Sequence, residues 1–262
     1  MKSPEKVKKY IVDWLKDYLL KSKQKGFVIG VSGGIDSAVT STLCALTNSP
    51  VYVINMPINQ SESEISRSKE HMEWLTSNYE NVKSLTHSLT NVFNTFKNEI
   101  NIHKNKKSTL LSLANTRARL RMTTLYYFAG SYKYLVAGTG NKIEDFGVGF
   151  YTKYGDGGVD ISPIADLKKT EVFQLAYHLK IIQSVLKAEP TDGLWDDGRT
   201  DEDQMGAKYE DLEEAIELIE KKITNNNLTT KQLKTRKIYE RLNTQNQHKM
   251  IPIPVCLIPE NL

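Results

Sequence analysis

Phe27-Val28-Ile29-Gly30-Val31-Ser32-Gly33-Gly34-Ile35-Asp36-Ser37 is the stretch from which the rest of the chain is read. Its apolar run predicts a short buried strand, its small residues a tight turn, and the residues that follow a helix. Gly33 and Gly34 admit backbone angles closed to other residues and let the main chain approach a ligand. Successive N–H groups and the helix N-terminus then make a seat for phosphate. Ser32 and Ser37 add hydroxyl donors. Asp36 is the oddity, because a carboxylate in such a turn repels phosphate unless a cation stands between them; Mg²⁺ is the hard ion that fits.

The spacing is neither Gly-x-Gly-x-x-Gly nor Gly-x-x-x-x-Gly-Lys-Ser/Thr, which argues against dinucleotide dehydrogenases and Walker-type ATPases. Ser-Gly-Gly-Ile-Asp-Ser, residues 32–37, instead resembles the pyrophosphate loop of the ATP pyrophosphatase superfamily. Its members split ATP between the α and β phosphates, and include NAD synthetases, GMP synthetases, asparagine synthetases and transfer-RNA thiolation enzymes. The loop implies a reaction type and leaves the substrate open.

At 262 residues the chain is long enough for one large α/β domain with an ample core. Its 35 basic and 31 acidic residues are mixed along the sequence, and a net charge of +4 favours a small anionic ligand over a nucleic-acid stripe. Cys44 and Cys256 read as reduced core thiols of a cytoplasmic protein, and no apolar run approaches membrane-spanning length.

In chain order, Ser3-Pro4 opens an amphipathic helix carrying Val7, Tyr10, Ile11, Trp14, Leu15, Tyr18 and Leu19, which Gly26 is expected to end. After the phosphate turn a helix runs to Asn48, and Val51 to Met56 reads as a second strand joined to the first by a right-handed crossover. Ser61 with Glu64 forms a capping box ahead of a helix to about Ser77, and Val82 to Thr86 is a third strand. A helix with Val92, Phe93, Phe96 and Ile100 follows, then a polar link at 101–107 containing the solvated Lys104, Lys106 and Lys107. Ser108 to about Ser131 is a long helix on which Arg117 and Arg121 share a side while Arg119 projects about 200° away from Arg117. Each arginine is read either as a carboxylate partner or as a fork for phosphate.

Tyr134 to Ala137 is a fourth strand that breaks at Gly138-Thr139-Gly140, a second place where a parallel sheet presents ligand-binding groups at its carboxyl edge. From Gly147 to Asp160 a glycine-dense loop carries Phe150, Tyr151 and Tyr154, as stacking surfaces or as anchors. A helix bearing Thr170, Val172, Phe173 and Leu175 comes next. The acidic stretch Pro190 to Met205, with Asp192, Trp195, Asp196, Asp197, Asp201, Glu202 and Asp203, lacks the spacing of a calcium loop and reads as a solvated flap that closes over nucleotide. An amphipathic helix over Leu212 to Ile223 and a basic one over Leu228 to Gln245 precede an extended apolar tail, Ile251-Pro252-Ile253-Pro254-Val255, that must be covered by something.

The order of further motifs narrows the resemblance and carries it over most of the chain. Asn115-Thr116-Arg117-Ala118-Arg119-Leu120-Arg121-Met122 is similar to the Asn-x-x-Ala-Arg-x-Arg-Met helix of NAD synthetases. Gly138-Thr139 with Glu144, the loop Phe150 to Asp160, Pro163 with Leu167 and Lys169, Pro190-Thr191 and His248-Lys249 follow in that family's order. Glutamine-using relatives carry a large nitrilase-like domain for which these residues leave no room. The chain therefore resembles the ammonia-dependent NAD synthetase family, read as one synthetase domain over residues 1–262.

That resemblance implies an adenine nucleotide alpha hydrolase-like fold, a Rossmann-like α/β/α sandwich with a parallel sheet flanked by helices. It implies that Gly30, Val31, Ser32, Gly33, Gly34, Ile35, Asp36 and Ser37 hold the ATP phosphates. Thr139, Lys169 and Thr191 also contact ATP, and Asp36 and Glu144 bind Mg²⁺. Arg119, Lys153, Asp160, His248 and Lys249 would hold deamido-NAD, at the interface of a homodimer. The implied reaction is adenylation of the nicotinate carboxylate followed by attack of ammonia, with Lys169 offsetting charge on the leaving pyrophosphate. Asp156 is a candidate base for ammonium, or a plain turn residue of Gly-Asp-Gly. Two alternatives stay open: another adenylating enzyme, such as a GMP synthetase core or a transfer-RNA thiolase lacking its cysteine pair, and a non-catalytic nucleotide-binding module.

Overall fold

The computed structural model describes residues 1, 3–100, 107–191 and 200–261. The link 101–106, the Lys107 side chain and the part of the flap that holds Asp192, Trp195, Asp196 and Asp197 lie outside the described residues. Helix α1 (Pro4–Ser22) starts on Ser3, whose hydroxyl accepts from Lys6 N–H, with Pro4 at its first position where a missing N–H costs nothing. It ends on Lys23, at φ 57°, and not on Gly26. Gly26 instead opens strand β1 (Gly26–Gly30), where a Cβ would meet the Pro50 carbonyl oxygen at 2.2 Å. The glycine is there for close strand approach, which a sequence cannot distinguish from a helix stop.

After β1 come α2 (Ile35–Ala45), β2 (Val51–Asn55), α3 (Glu62–Asn78), β3 (Val82–Thr86), α4 (Thr90–Glu99), α5 (Lys107–Tyr132) and β4 (Tyr134–Val136). All four strands are parallel, in the order β3-β2-β1-β4, with Phe27 opposite Val51 on one side and Leu135 on the other. The chain winds outward from β1 to β3, then returns through α4 and α5 to set β4 on the far side of β1. The order reverses between β1 and β4, so a crevice opens beyond their carboxyl ends.

Alternation along β1 builds the three layers. Phe27 and Ile29 face a core shared with Leu15 of α1, Val39 and Leu43 of α2 and Leu75 of α3. Val28 faces the opposite core, with Ile54, Phe93 of α4 and Ala129 of α5. Because both faces are covered at the centre of the sheet, β1 and β2 read as nearly continuous apolar runs, whereas the edge strand β3 exposes Lys83 and Ser84.

The segment expected to begin the glycine-rich loop is partly helical. Lys142–Val148 forms a π-helix capped by Asn141, whose Oδ1 accepts from Ile143 and Glu144 N–H. Then follow α6 (Lys169–His178), α7 (Gln183–Leu186), α8 (Asp201–Met205), α9 (Tyr209–Glu220) and α10 (Thr230–Met250). A third cluster, Ile143, Val148, Met205, Tyr209, Leu212 and Ile216, binds α8 and α9 to the π-helix. Helix α10 runs past Gln245, so His248 and Lys249 sit on its last turn.

Two apolar features differ from expectation. Cys44 is buried, but Cys256 is exposed, on the tail after α10. Among the described residues nothing covers that tail: Ile253 is 66% and Val255 74% exposed. Among the described residues no helix is long and apolar enough to cross a membrane.

Candidate active site

A cavity of about 250 Å³ occupies the crevice, and Gly30 through Ser37 all line it. Val31 N–H continues the pairing to Ile54, and Asn55 Nδ2 donates to the Val31 carbonyl and to Ser68 Oγ on α3. The chain then turns at Gly33, whose φ of +87° excludes most side chains. Helix α2 is capped by Gly34 with no side-chain hydrogen bond, so its first N–H groups have no capping side chain, and its first residues, Ile35 to Ser37, line the cavity. Ser37 Oγ donates to the Gly34 carbonyl and lies 3.2 Å from Ser32 Oγ, so the serines also shape the turn.

Asp36 and Glu144 converge on one cation. Lys169, the first residue of α6, lies 2.6 Å from Asp36 Oδ2 and 2.9 Å from Glu144 Oε1, and only 4% of its side chain is exposed. Asn141 Nδ2 donates to Asp36 Oδ1 at 3.1 Å, linking the π-helix cap to the phosphate loop. Tyr209 of α9 donates its phenol proton to Glu144 at 2.5 Å and to Asp201 at 3.2 Å, while the Lys169 ammonium sits 5.0 Å from the Tyr209 ring centre.

The electrostatics follow from this geometry. Burial, with Glu144 close by, raises the Asp36 carboxyl above its ordinary range despite Lys169. Burial pushes Glu144 the same way, but Lys169 and the Tyr209 hydroxyl outweigh it and leave Glu144 lowered. Burial disfavours charge on Lys169, yet the two carboxylates hold it protonated above its usual range. Asp145 is raised well above the carboxylate range by burial and by the nearby Asp156, Glu144 and Asp36. Its carboxylate lies over Gly140, where a Cβ would meet Oδ2 at 1.9 Å.

Thr139, Asp156 and Thr191 also line the cavity. Asp156 Oδ1 accepts from Thr152 N–H, the hydrogen bond of a turn residue. Asp201, expected on a solvated flap, is 6% exposed because Tyr209 and the cavity wall enclose it. Of the loop aromatics, Phe150 lines the cavity, Tyr151 carries the Lys249 ammonium over its ring, and Tyr154 is 53% exposed.

The residues expected on the dinucleotide lie outside this cavity. Asp160 accepts from Val136 N–H at 2.8 Å and from the Tyr126 hydroxyl at 3.0 Å, tying its loop to β4 and α5. Arg119 donates to the Lys153 carbonyl, Lys153 Nζ to the His248 carbonyl, and Lys249 Nζ to the carbonyls of Gly149 and Tyr151. Four of the five thus form one patch where α5, the loop and the end of α10 meet, while Asp160 stands apart.

The sequence left open which of the arginines on α5 faces the site. Arg121 faces the site and donates to the Met56 carbonyl and Gln60 Oε1, whereas Arg117, four residues earlier, lies over the Phe93 ring. Arg67 and Asp145 line the cavity, and Tyr209 braces Glu144 behind it, all from segments without a local motif.

An anion seat at a sheet switch point, beside two carboxylates on a buried lysine, defines an α/β enzyme that acts on nucleotide phosphates. The NAD synthase family profile matches residues 7–252. The NH(3)-dependent NAD(+) synthetase of Archaeoglobus fulgidus is 39% identical over 221 residues, covering 83% of this chain and 85% of that one. The enzyme of the same description from Alkaliphilus oremlandii is 38% identical over 255 residues, covering 93% and 94%. Among solved structures, the NMN synthetase of Francisella tularensis superposes with a TM-score of 0.80 at 32% identity, covering 98% of this chain and 99% of that one. The chain belongs to the NAD synthase family, as an ATP-using ligase of the ammonia-dependent NAD synthetase type.

Proposed function

We propose that this chain, working as one synthetase unit over residues 1–262, converts deamido-NAD, ATP and ammonia to NAD, AMP and pyrophosphate. The observation that carries the reading is the meeting of Asp36, Lys169 and Glu144 at the N-terminus of α2. A carboxylate cannot expel oxide, so a nicotinate oxygen attacks the α-phosphorus and the bond to the β-phosphate oxygen breaks. Ammonia then adds to the carbonyl of the mixed anhydride, and AMP leaves with the bonding pair. The uncapped N–H groups of α2 and the loop offset phosphate charge, and the cavity aligns the two reactants. Thr139 and Thr191, which line the cavity, would contact ATP.

The donor set suits Mg²⁺. Among the described residues no cluster of three or more His, Cys, Asp or Glu side chains could hold a metal by itself. Mg²⁺ needs none, since it uses one or two carboxylates and completes its shell with waters and phosphate oxygens. Asp36 and Glu144 would hold it, and when bound it neutralises charge on the phosphates. Asp156, at the cavity wall, would take a proton from ammonium.

The patch of Arg119, Lys153, His248 and Lys249 supports an acceptor that extends beyond the cavity, with Asp160 holding the loop to β4 and α5. Exposed apolar groups on α1, α5 and the tail, among them Tyr10, Leu110, Tyr127 and Leu257, support a homodimer across which it lies. The ordinary charge balance and a buried thiol at Cys44 support a cytoplasmic setting.

The test is incubation with ATP, Mg²⁺, ammonium and deamido-NAD, reading NAD and pyrophosphate; pyrophosphate without NAD would remove this acceptor. The likeness to an NMN synthetase favours a second acceptor, the deamido form of NMN, run in parallel. The higher kcat/KM names the substrate.

A further inference from the structure

Three cations line the cavity among the described residues: Lys169, Arg121 and Arg67. Two are committed. Lys169 is held by Asp36 and Glu144, and Arg121 by the Met56 carbonyl and Gln60. The charge that a leaving pyrophosphate develops therefore cannot be met by Lys169 alone, because its ammonium is already matched by two carboxylates.

Arg67 is different. Among the described residues it makes no hydrogen bond or ion pair, and its Nε is buried without a partner. A buried donor on a cation is costly to leave unmatched, and a structure that keeps one at a cavity wall has a place for an acceptor. The position is next to the phosphate loop: a Cβ on Gly33 would lie 3.3 Å from Arg67 Cβ and 3.0 Å from the Glu64 carbonyl oxygen. Helix α3 thus packs directly against the turn whose N–H groups make the anion seat.

We propose that Arg67 grips the β- and γ-phosphates of ATP, the pyrophosphate leaving group, on the Gly33 side of the loop. The inference rests on the nucleotide reading above. When the α-phosphorus–oxygen bond breaks, the electron pair leaves with pyrophosphate, and the planar guanidinium offers two parallel N–H donors to its oxygens. AMP has no atom in this position, so Arg67 distinguishes the two products.

Calorimetric titration with inorganic pyrophosphate and with AMP, each in the presence of Mg²⁺, tests this on the wild type, Arg67→Gln and Arg67→Lys. Arg67→Gln is expected to weaken pyrophosphate about tenfold and leave AMP within about twofold, with an unchanged melting temperature. Arg67→Lys keeps the charge without the fork and is expected to fall between. Pyrophosphate affinity equal to wild type in both variants, or an equal loss for AMP, overturns the assignment while the nucleotide site stands. A wild type that binds neither probe overturns the nucleotide reading itself. Should Arg67→Gln fail to fold, the Arg67→Lys titration decides, since a phosphate fork loses affinity there and a mere spacer does not.

Discussion

The Nζ of Lys169 lies 2.6 Å from Asp36 Oδ2, joining residues 133 positions apart in the chain. The pair is nearly out of solvent, and its attraction must exceed the desolvation of both charges. Glu144 as a second acceptor helps it do so. Lys169→Ala would strand two carboxylates together and is expected to destabilise the fold by about 3–5 kcal/mol, read as a fall in melting temperature. Asp36→Ala is expected to reduce pyrophosphate release at least about a hundredfold. Undiminished release would end the metal role given to this side chain.

Tyr209→Phe removes only the hydroxyl that serves Glu144 and Asp201. The loss is expected to cost about 1–3 kcal/mol, because two enclosed acceptors lose a donor. With Glu144 less firmly held, the Mg²⁺ concentration for half-maximal activity should rise several-fold. An unchanged Mg²⁺ titration would mean that Glu144 is positioned by Lys169 alone.

Asp160→Ala separates structure from binding. Its carboxylate accepts from the backbone of β4 and from Tyr126, whose hydroxyl is raised by burial and by this carboxylate. Stability is expected to fall by about 1–3 kcal/mol while pyrophosphate and AMP bind as before. A rise in the acceptor KM at wild-type stability would give Asp160 the dinucleotide role instead.

His71 predicts an acid-sensitive core. It is buried, with Nε2 3.0 Å from Ser41 Oγ, and burial lowers its pKa from 6.5 to about 4. The unfolded chain therefore binds the proton more readily than the native one. The contribution of a neutral His71 is fully present above about pH 6.5 and declines as pH falls toward 4, by about 3 kcal/mol in all. Denaturant unfolding at pH 7 and pH 4.5 should show this slope, and His71→Gln should flatten it; an equal slope in the variant would assign the acid sensitivity to other groups.

Local chemistry made much of the fold legible. The Ser61–Glu64 capping box is present as read, since it involves atoms three residues apart. The central strands β1 and β2 announce themselves because both sheet faces are covered there and most positions are apolar, while the edge strand β3 exposes Lys83 and Ser84. The end of α1 differs from the sequence expectation because Gly26 answers to the Pro50 carbonyl, just ahead of the neighbouring strand β2. The tail after α10 is expected to be covered, and among the described residues Ile253, Val255 and Leu257 stay exposed.

By itself the sequence determined the turn after the first strand, the parallel sheet and the family, because each is carried by residue types at short spacing. Tertiary structure alone decided that Lys169 is shared by Asp36 and Glu144, and that Tyr209 braces one of them. It also decided which of Arg67, Arg117, Arg119 and Arg121 line the cavity. Those contacts join segments far apart in the chain, and a side chain's partner is set by where the sheet and its helices bring it, not by its neighbours along the backbone.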